Sequence, residues 1–492
     1  MGKGKRHVPD IRAIARAAVA DAGFEPVFPA EVARELEQID RGGGRAADPE
    51  ARDLRALLWS SIDNRESRDL DQVEYAERLP AGGYRVLVAI ADVDAYVPAG
   101  SAIDRHAAVN TVSVYTPAEV FPMLPTRLSN DLTSLVEGED RLAVVMELAL
   151  SEGGDVTSKQ VYRAAVRNHA KMDYESAGAW LEGRGPAPEA VGRVPGLEAQ
   201  VRLQDEIAQS LHELRRRCGA IELERAELVP VVDESGRVVR LDERRNNRAQ
   251  DIIESLMIAA NTSMAELLQD RGVPSLRRVV RAPVRWPRIV ETAAALGFRL
   301  PDEPDPRALS DFMSRQRAAA PGEYADLSLS ILKLMGPGDY MVEAPGLEQE
   351  GHFGLAVHDY THSTAPNRRF PDLVTQRCLK SAAAGGPAPY AREELEAIAA
   401  RCNLMESAAR KVERRMRKAA AAALLGAHVG ETFDAVVTGV KEHGTFARTL
   451  RPPADGRVVR GWRGLDVGDR VRVRLLSTDP ERGFIDFARD GR

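Results

Sequence analysis

The sequence predicts an α+β chain in three parts, and three observations carry that prediction. Residues 1–55 show helical periodicity, residues 56–425 alternate β-rich runs with long helical ones, and residues 426–492 hold five short strand-like runs between turn signals. At 492 residues the chain exceeds what one hydrophobic core usually serves, which favours several domains. Its 44% hydrophobic and 29% charged composition is that of an ordinary soluble globular protein with ample core material.

In the first part, Ile11, Ile14, Ala15, Ala18 and Val19 share one helical face behind the N-cap candidate Asp10, and Gly23 stops the helix. A second helix is expected over 30–39, Leu54 to Trp59 offers a third, and the Gly-rich loop Arg41 to Arg45 separates them. Two readings fit: a helix-turn-helix or winged-helix module, and a helical cap on the next domain. In the second part, Tyr84 to Ala91 and Arg141 to Ala149 are β-rich runs bounded by turns, whereas 197–217 and 249–269 read as long helices. Residues 391–425 are strongly helical and end in the Ala-rich run Ala419 to Leu425 before Gly426. A large mixed α/β domain accounts for this alternation. The last part has strand-like runs over 429–440, 444–448, 457–463, 470–475 and 482–487, and five strands in so short a stretch predict a small closed barrel of the OB type.

Composition narrows the functional classes. A net charge of −6 and a pI near 6.0 give no whole-chain sign of a polyanionic partner, so any such surface must be local. Arg supplies all but nine of the 68 basic residues, a bias attributed to genomic base composition. Cys218, Cys378 and Cys402 are too few and too far apart for a disulfide framework or a zinc knuckle, and they suit a reducing cytoplasm. The basic start, Met1 to His7, leads into an amphipathic helix, which argues against a secretory signal, and no run approaches the ~20 apolar residues of a membrane span.

Chemistry concentrates in Ser61-Ile-Asp-Asn-Arg-Glu-Ser-Arg-Asp-Leu-Asp-Gln72, where Asp63, Asp69 and Asp71 fall within nine residues after an apolar segment. Carboxylates that dense repel unless a cation lies between them, and all-oxygen donors suit a hard ion such as Mg²⁺. The bland alternative, a solvated acidic loop, is equally open on composition alone. An EF-hand calcium loop is excluded, because Asn64 and Glu66 sit at the wrong intervals and the central Gly is missing.

More distant motifs decide between these readings. Asp63, five residues, then Asp69-Leu-Asp71 resembles the catalytic signature of the ribonuclease II family, whose core is the RNB domain. Tyr115-Thr-Pro-Ala-Glu-Val-Phe-Pro-Met-Leu-Pro-Thr-Arg-Leu-Ser129, with Asp131 to Leu135 after it, resembles a second family segment. Ile252 to Asn261 resembles the helix with a ribose-contacting Glu and a buried Asn, and His352-Phe-Gly-Leu-Ala with Tyr360 to Val374 resembles the arginine motif. The terminal barrel is similar to the ribosomal-protein S-one subtype that ends such proteins.

The resemblance implies a 3′→5′ exoribonuclease that hydrolyses single-stranded RNA to nucleoside 5′-monophosphates, and the shortened N-terminal part extends the expectation to 3′-tailed structured RNA. Asp63, Asp69 and Asp71, with the carbonyl of Gln72, would ligate one or two Mg²⁺ ions, or Mn²⁺. Arg368 would stabilise the transition state, Tyr115 and Tyr174 would hold the terminal nucleotide, and Glu254 with Asn261 would serve the ribose site. Arg369 is assigned to substrate binding, with an ion pair to Asp372 as the alternative. The basic clusters Arg277-Arg278-Val-Val-Arg281 and Arg410 to Lys418 would line an RNA path or, in the second case, form a solvated helix face. The implied partner is the single-stranded 3′ end of RNA, with no membrane and a monomeric protein.

Three departures from the family pattern stand out. Gln72 replaces a fourth Asp, which makes a silenced RNA-binding scaffold the alternative function. The family's second stacking ring falls near Glu222, so the aromatic clamp is expected to be incomplete. The 55 or so residues before the catalytic domain read as helical, where family members commonly carry tandem cold-shock barrels.

Overall fold

The computed structural model describes residues 10–42, 48–224, 226–233, 238–344, 351–441 and 444–491; Met1 to His7, the 43–45 part of the Gly-rich loop and Arg225 lie outside the described residues. Helices α1 (Ile11–Asp21) and α2 (Ala30–Arg41) precede strands β1 (Arg52–Asp53), β2 (Trp59–Asp63), β3 (Gln72–Arg78) and β4 (Tyr84–Ala91). Next come α3 (Ala102–Asn110), the small hairpin β5 (Val114–Tyr115) and β6 (Val120–Phe121), and the long strands β7 (Asp140–Leu150) and β8 (Val156–Asp173). Helices α4 (Tyr174–Leu181), α5 (Glu189–Arg193) and α6 (Leu197–Cys218) lead to the hairpin β9 (Ala226–Val232) and β10 (Val238–Arg245), then to α7 (Arg248–Asp270) and β11 (Ser275–Val279). The chain continues through α8 (Trp286–Ala295), α9 (Pro306–Ala319), α10 (Tyr324–Met335), β12 (Asp339–Glu343), α11 (Phe370–Ala383) and α12 (Arg392–Leu425). It ends in β13 (Thr432–Lys441), β14 (Gly444–Leu450), β15 (Pro453–Arg460), β16 (Arg470–Asp479) and β17 (Phe484–Arg489).

Asp10 caps α1 as expected, accepting the N–H groups of Arg12 and Ala13, and Gly23 takes φ +86° behind the helix. The apolar face of α1 packs on Met405, Ala409, Val412 and Met416 of α12, whereas α2 buries Val32 in a different cluster with Ile103 and Ala107 of α3. The two helices therefore cap the body separately. Leu54 to Trp59 is not helical: it turns, and Trp59 opens β2 fully buried, its Nε1 donating to the Leu54 carbonyl. The spacing of Leu54, Leu57 and Leu58 mimics a helical stripe because the turn places apolar residues at the same intervals.

The central sheet has the order β1-β8-β2-β3-β4-β7, and β8 also pairs with β7, so the sheet curls back on itself. Ile62, Val86, Val88 and Met146 pack under α6 and α7 on one face, while Trp59, Val73, Leu87 and Ala89 pack under α3 and α11 on the other. Strands covered on both faces read as near-continuous apolar runs, which is why β4 stands out in the sequence. Antiparallel pairing of β2 with β3, with Ser60 opposite Glu74, brings the end of β2 and the start of β3 to the same edge. The acidic loop spans that edge.

Helix α12 is the spine between domains: its middle packs on α1, and Ala421, Ala422 and Leu425 enter the core of the C-terminal barrel with Val437 and Phe487. The barrel closes in the order β13-β14-β15-β17-β16, with β15 and β17 parallel.

Helix α11, which follows the arginine motif, is anchored by Arg377. This buried guanidinium pairs with Asp94 at 2.8 Å and Asp104 at 2.8 Å and donates to the Val97 carbonyl at 2.7 Å and the Tyr390 hydroxyl at 2.7 Å. Removing one side of a buried ion pair strands the other, so Arg377→Leu is expected to lose about 3–5 kcal/mol in urea unfolding. A loss near zero would show that this network does not hold α11.

Candidate active site

Asp63 ends β2, and its Oδ1 accepts from the Asn64 N–H at 2.6 Å and the Ser67 hydroxyl at 2.7 Å. The loop beyond it is tied down on both sides. Leu70 N–H donates to Ser134 Oγ at 2.9 Å, Ser134 Oγ donates to the Arg68 carbonyl at 2.6 Å, and Leu135 N–H donates to the Leu70 carbonyl at 2.9 Å. From β4, Ala91 N–H reaches the Asp71 carbonyl at 2.9 Å. These bonds turn Asp71 inward, where it is only 2% exposed.

The arginine loop meets it from the far end of the domain. Asn367 N–H donates to Asp71 Oδ1 at 2.9 Å, and Arg368 Nε donates to Oδ2 at 3.2 Å. Backbone bonds hold this loop against the end of α3: Phe370 N–H to the Thr111 carbonyl at 2.8 Å, and Ser113 N–H to the Arg368 carbonyl at 3.0 Å. Thr111 adopts φ +60°, a strained conformation for a β-branched residue. Asn261, buried in α7, braces the loop from below, its Oδ1 accepting from Ser363 N–H at 3.0 Å and Ser363 Oγ at 2.8 Å. Arg368 is thus fixed at its backbone and its Nε, while its side chain is 42% exposed and its two terminal nitrogens have no hydrogen-bond partner among the described residues.

Burial dominates the electrostatics. It pushes the Asp71 carboxyl up to about 7 even though Arg368 opposes the shift, and it raises Asp63 in the same direction. Asp69 accepts from the Tyr115 hydroxyl at 2.8 Å, a bond that leaves the Tyr115 ring 40% exposed. Tyr174, the first residue of α4, is half-buried, and burial with the charges of Asp63 and Glu74 pushes its phenol up. Among the described residues, no group of three or more His, Cys, Asp or Glu side chains is placed so as to hold a metal ion. The donor set nevertheless fits a hard divalent cation: three carboxylates around a single guanidinium, the amide of Gln72, and at Glu74 a buried carboxylate with both oxygens unbonded.

The other expected residues divide. Glu254 is exposed on α7 beside Arg215, whereas Asn261 is occupied inside the protein and does not share that surface. Arg369 forms the alternative ion pair with Asp372 at 2.7 Å, with its Nε buried and unbonded. Arg277 and Arg278 correct an expectation: at 3% and 8% exposed they are internal struts, paired with Glu343 and Glu406, and do not line a path. Their strand β11 is buried along its whole length, so the positive run reflects internal ion pairing. Glu222 pairs with Arg317 and His212.

Sequence reasoning missed a ring network around the arginine loop. Tyr340 Oη and His362 Nδ1 lie 2.7 Å apart, and edge-to-face contacts continue from His362 to Tyr360 and from Tyr360 to His352. Only the recurrence of His and Tyr across His352 to His362 hinted at it. In the barrel, Phe487 is core, whereas Phe484 and the overlooked Trp462 are exposed.

Comparison with known proteins agrees with this architecture. Residues 51–385 match the RNB domain, and residues 431–490 match the C-terminal S1 domain of RNase II-type exonucleases. Ribonuclease R of Thermotoga maritima is 31% identical over 491 residues, covering 94% of this chain and 68% of that protein. The first relatives matched are spanned over 55% to 68% of their length. The fold superposes on Mycoplasma genitalium RNase R in complex with ribose-methylated single-stranded RNA, with a TM-score of 0.84, 24% identity, and 98% of this chain and 78% of that one covered. It also superposes on the same protein in complex with double-stranded RNA, with a TM-score of 0.82, 24% identity and coverage of 98% and 83%.

The ring network carries a pH signature. Burial, then the charge of Arg278, pushes His352 down to about 4 from an ordinary 6.5. The unfolded chain takes up a proton near 6.5 that the folded one refuses until about 4, so stability is lost as pH falls through that window. His352→Asn, which retains a side-chain acceptor for the Leu355 N–H, is expected to shrink the drop in melting temperature between pH 7 and pH 4.5. An unchanged drop would mean that the folded protein already protonates His352.

Proposed function

The chain belongs to the RNB family of ribonucleases, and from that premise we propose that it is a 3′→5′ exoribonuclease that hydrolyses single-stranded RNA to nucleoside 5′-monophosphates. The observation that carries this reading is the bond between Asp71 and Arg368, 297 residues apart in sequence, beside Asp63 and Asp69. A silenced scaffold would have no use for three acids and an arginine held at one point.

Enzymes of this family depend on a divalent metal. Asp63, Asp69, Asp71 and Gln72 would hold Mg²⁺, or Mn²⁺ in its place, which when bound would supply Lewis-acid activation of water and phosphate. The protein's own groups do the rest. Arg368, tethered through Nε, offers its two terminal nitrogens to the charge that builds on the phosphate oxygens, a fork geometry that lysine cannot match. Asp69 holds the Tyr115 hydroxyl, so the ring presents a face for a terminal base of any identity. Tyr174 stands within reach of the Asp63 charge, Glu254 reads a ribose hydroxyl and so selects RNA over DNA, and Arg369 supports substrate binding from its ion pair with Asp372. Asn261 acts by bracing the arginine loop.

Exposed Phe484 and Trp462, with Arg472 and Arg474, suit a barrel that guides single strands by stacking and charge. We place the protein in a reducing cytoplasm, on its three free cysteines, and take it to act as a monomer. Among the described residues, no helix is long and apolar enough to cross a membrane.

With 5′-labelled RNA and Mg²⁺ the protein should shorten the strand from its 3′ end and release 5′-monophosphates; a gel shift without products would leave only a binding protein. Asp71→Asn should slow turnover by about 10³-fold or more, the scale of losing a key electrostatic group, while RNA binding persists. Wild-type degradation by that variant would sink the mechanism. A duplex with a short 3′ tail should be digested into its paired region, and stalling at the first base pair would refute the structured-substrate part.

A further inference from the structure

Glu74 lies in β3 two residues beyond Gln72, and strand alternation puts both side chains on one face of the sheet. It is 1% exposed, and neither carboxylate oxygen has a hydrogen-bond partner among the described residues. Around it, Ser60 Oγ on the opposing strand and Gln204 Oε1 of α6 are also buried and unbonded, and the Gln204 amide nitrogen is spent on the Glu74 carbonyl at 3.3 Å.

Other buried acids in this protein each hold a cation: Asp71 has Arg368, Asp92 has Lys380, and Asp372 has Arg369. No ion pair joins Glu74 to any described residue, and the charge acting on it is that of another acid, Asp63. Burying an ionised carboxylate with neither donor nor counter-ion is expensive, so the group either keeps its proton, the direction in which burial pushes it, or takes a positive partner. Gln72 forms no side-chain hydrogen bond among the described residues, and it stands where the family pattern has an acid. The charges of both Asp63 and Glu74 act on the Tyr174 phenol.

We propose that Glu74 is a further ligand of the divalent cation, supplying with Asp63 the negative charge that Gln72 lacks. The acid is displaced along the strand, not lost, and the Gln72 carbonyl completes an all-oxygen set with it. This deepens the nuclease reading and rests on it for the purpose of the metal, although the ligand assignment is testable without RNA.

The experiment titrates MnCl₂ alone into the full-length protein by calorimetry, with metal-free melting temperatures alongside. Glu74→Gln should weaken Mn²⁺ binding by at least about tenfold or remove one bound ion, and adding Gln72→Asp to it should restore affinity to within about threefold of wild type. The metal-free melting temperature of Glu74→Gln should hold, because an amide of the same shape replaces a buried acid that makes no hydrogen bond to the described residues. Wild-type Mn²⁺ binding by Glu74→Gln would overturn the proposal. So would weakened binding with a lowered melting temperature and no rescue by Gln72→Asp, which is the result expected if Glu74 only bonds to a buried water between Ser60 and Gln204. A wild-type protein that binds Mn²⁺ through Glu74 but degrades no RNA would keep this assignment and sink the nuclease reading; normal RNA degradation with Glu74-independent Mn²⁺ binding would do the reverse.

Discussion

The structure depends on one buried carboxylate. Asp71 must be taken out of water, and the domain supplies it with a backbone N–H from Asn367, the Nε of Arg368 and little else. Both donors come from the far end of the domain, so the site exists only when the chain between them has folded. Much of the surrounding structure can be understood as what it takes to deliver those two donors. The curled sheet puts the ends of β2 and β3 at one edge, Ser134 and Leu135 fix the acidic loop, and Asn261 and Thr111 fix the arginine loop from opposite sides.

The same constraint explains why the arginine is held as it is. A guanidinium that gave its terminal fork to Asp71 would make the stronger bidentate pair, but it would have nothing left for a phosphate. Bonding through Nε alone gives a weaker tether and an outward fork. Three carboxyls then stand against one guanidinium, an excess of acid over base, while burial pushes the Asp71 carboxyl up to about 7. In the proposed reaction that excess would favour uptake of a divalent cation, and cation and substrate phosphate would each lower the cost of the other.

Much of this was legible in the sequence, for identifiable reasons. Helix α1 was readable because its cap, stripe and stop are all local; α12 and the barrel were readable because period and turn chemistry repeat. The site was readable only through distant motifs, since nothing in the spacing of Asp63, Asp69 and Asp71 says that Arg368 lies beside them. What stayed hidden depends on the third dimension. Leu54 to Trp59 has helical spacing but packs as a turn into a central strand, and Arg277 and Arg278 read as a basic patch because their partners, Glu343 and Glu406, are far along the chain.

Glu74 is the clearest case of information that sequence holds but cannot reveal. As text, Gln72-Val-Glu74 is one missing acid followed by an ordinary strand residue, and alternation says only that the two share a face. Burial adds the decisive fact, because a glutamate on the exposed face of a sheet needs no explanation and one sealed in the protein with no partner among the described residues does. A substitution that removes charge from a metal site is tolerable if charge returns within ligand reach, and strand geometry offers i+2 as the nearest place on the same face. Gln72 and Glu74 therefore belong to a single electrostatic unit, and the loss at one position is intelligible only from the burial of the other.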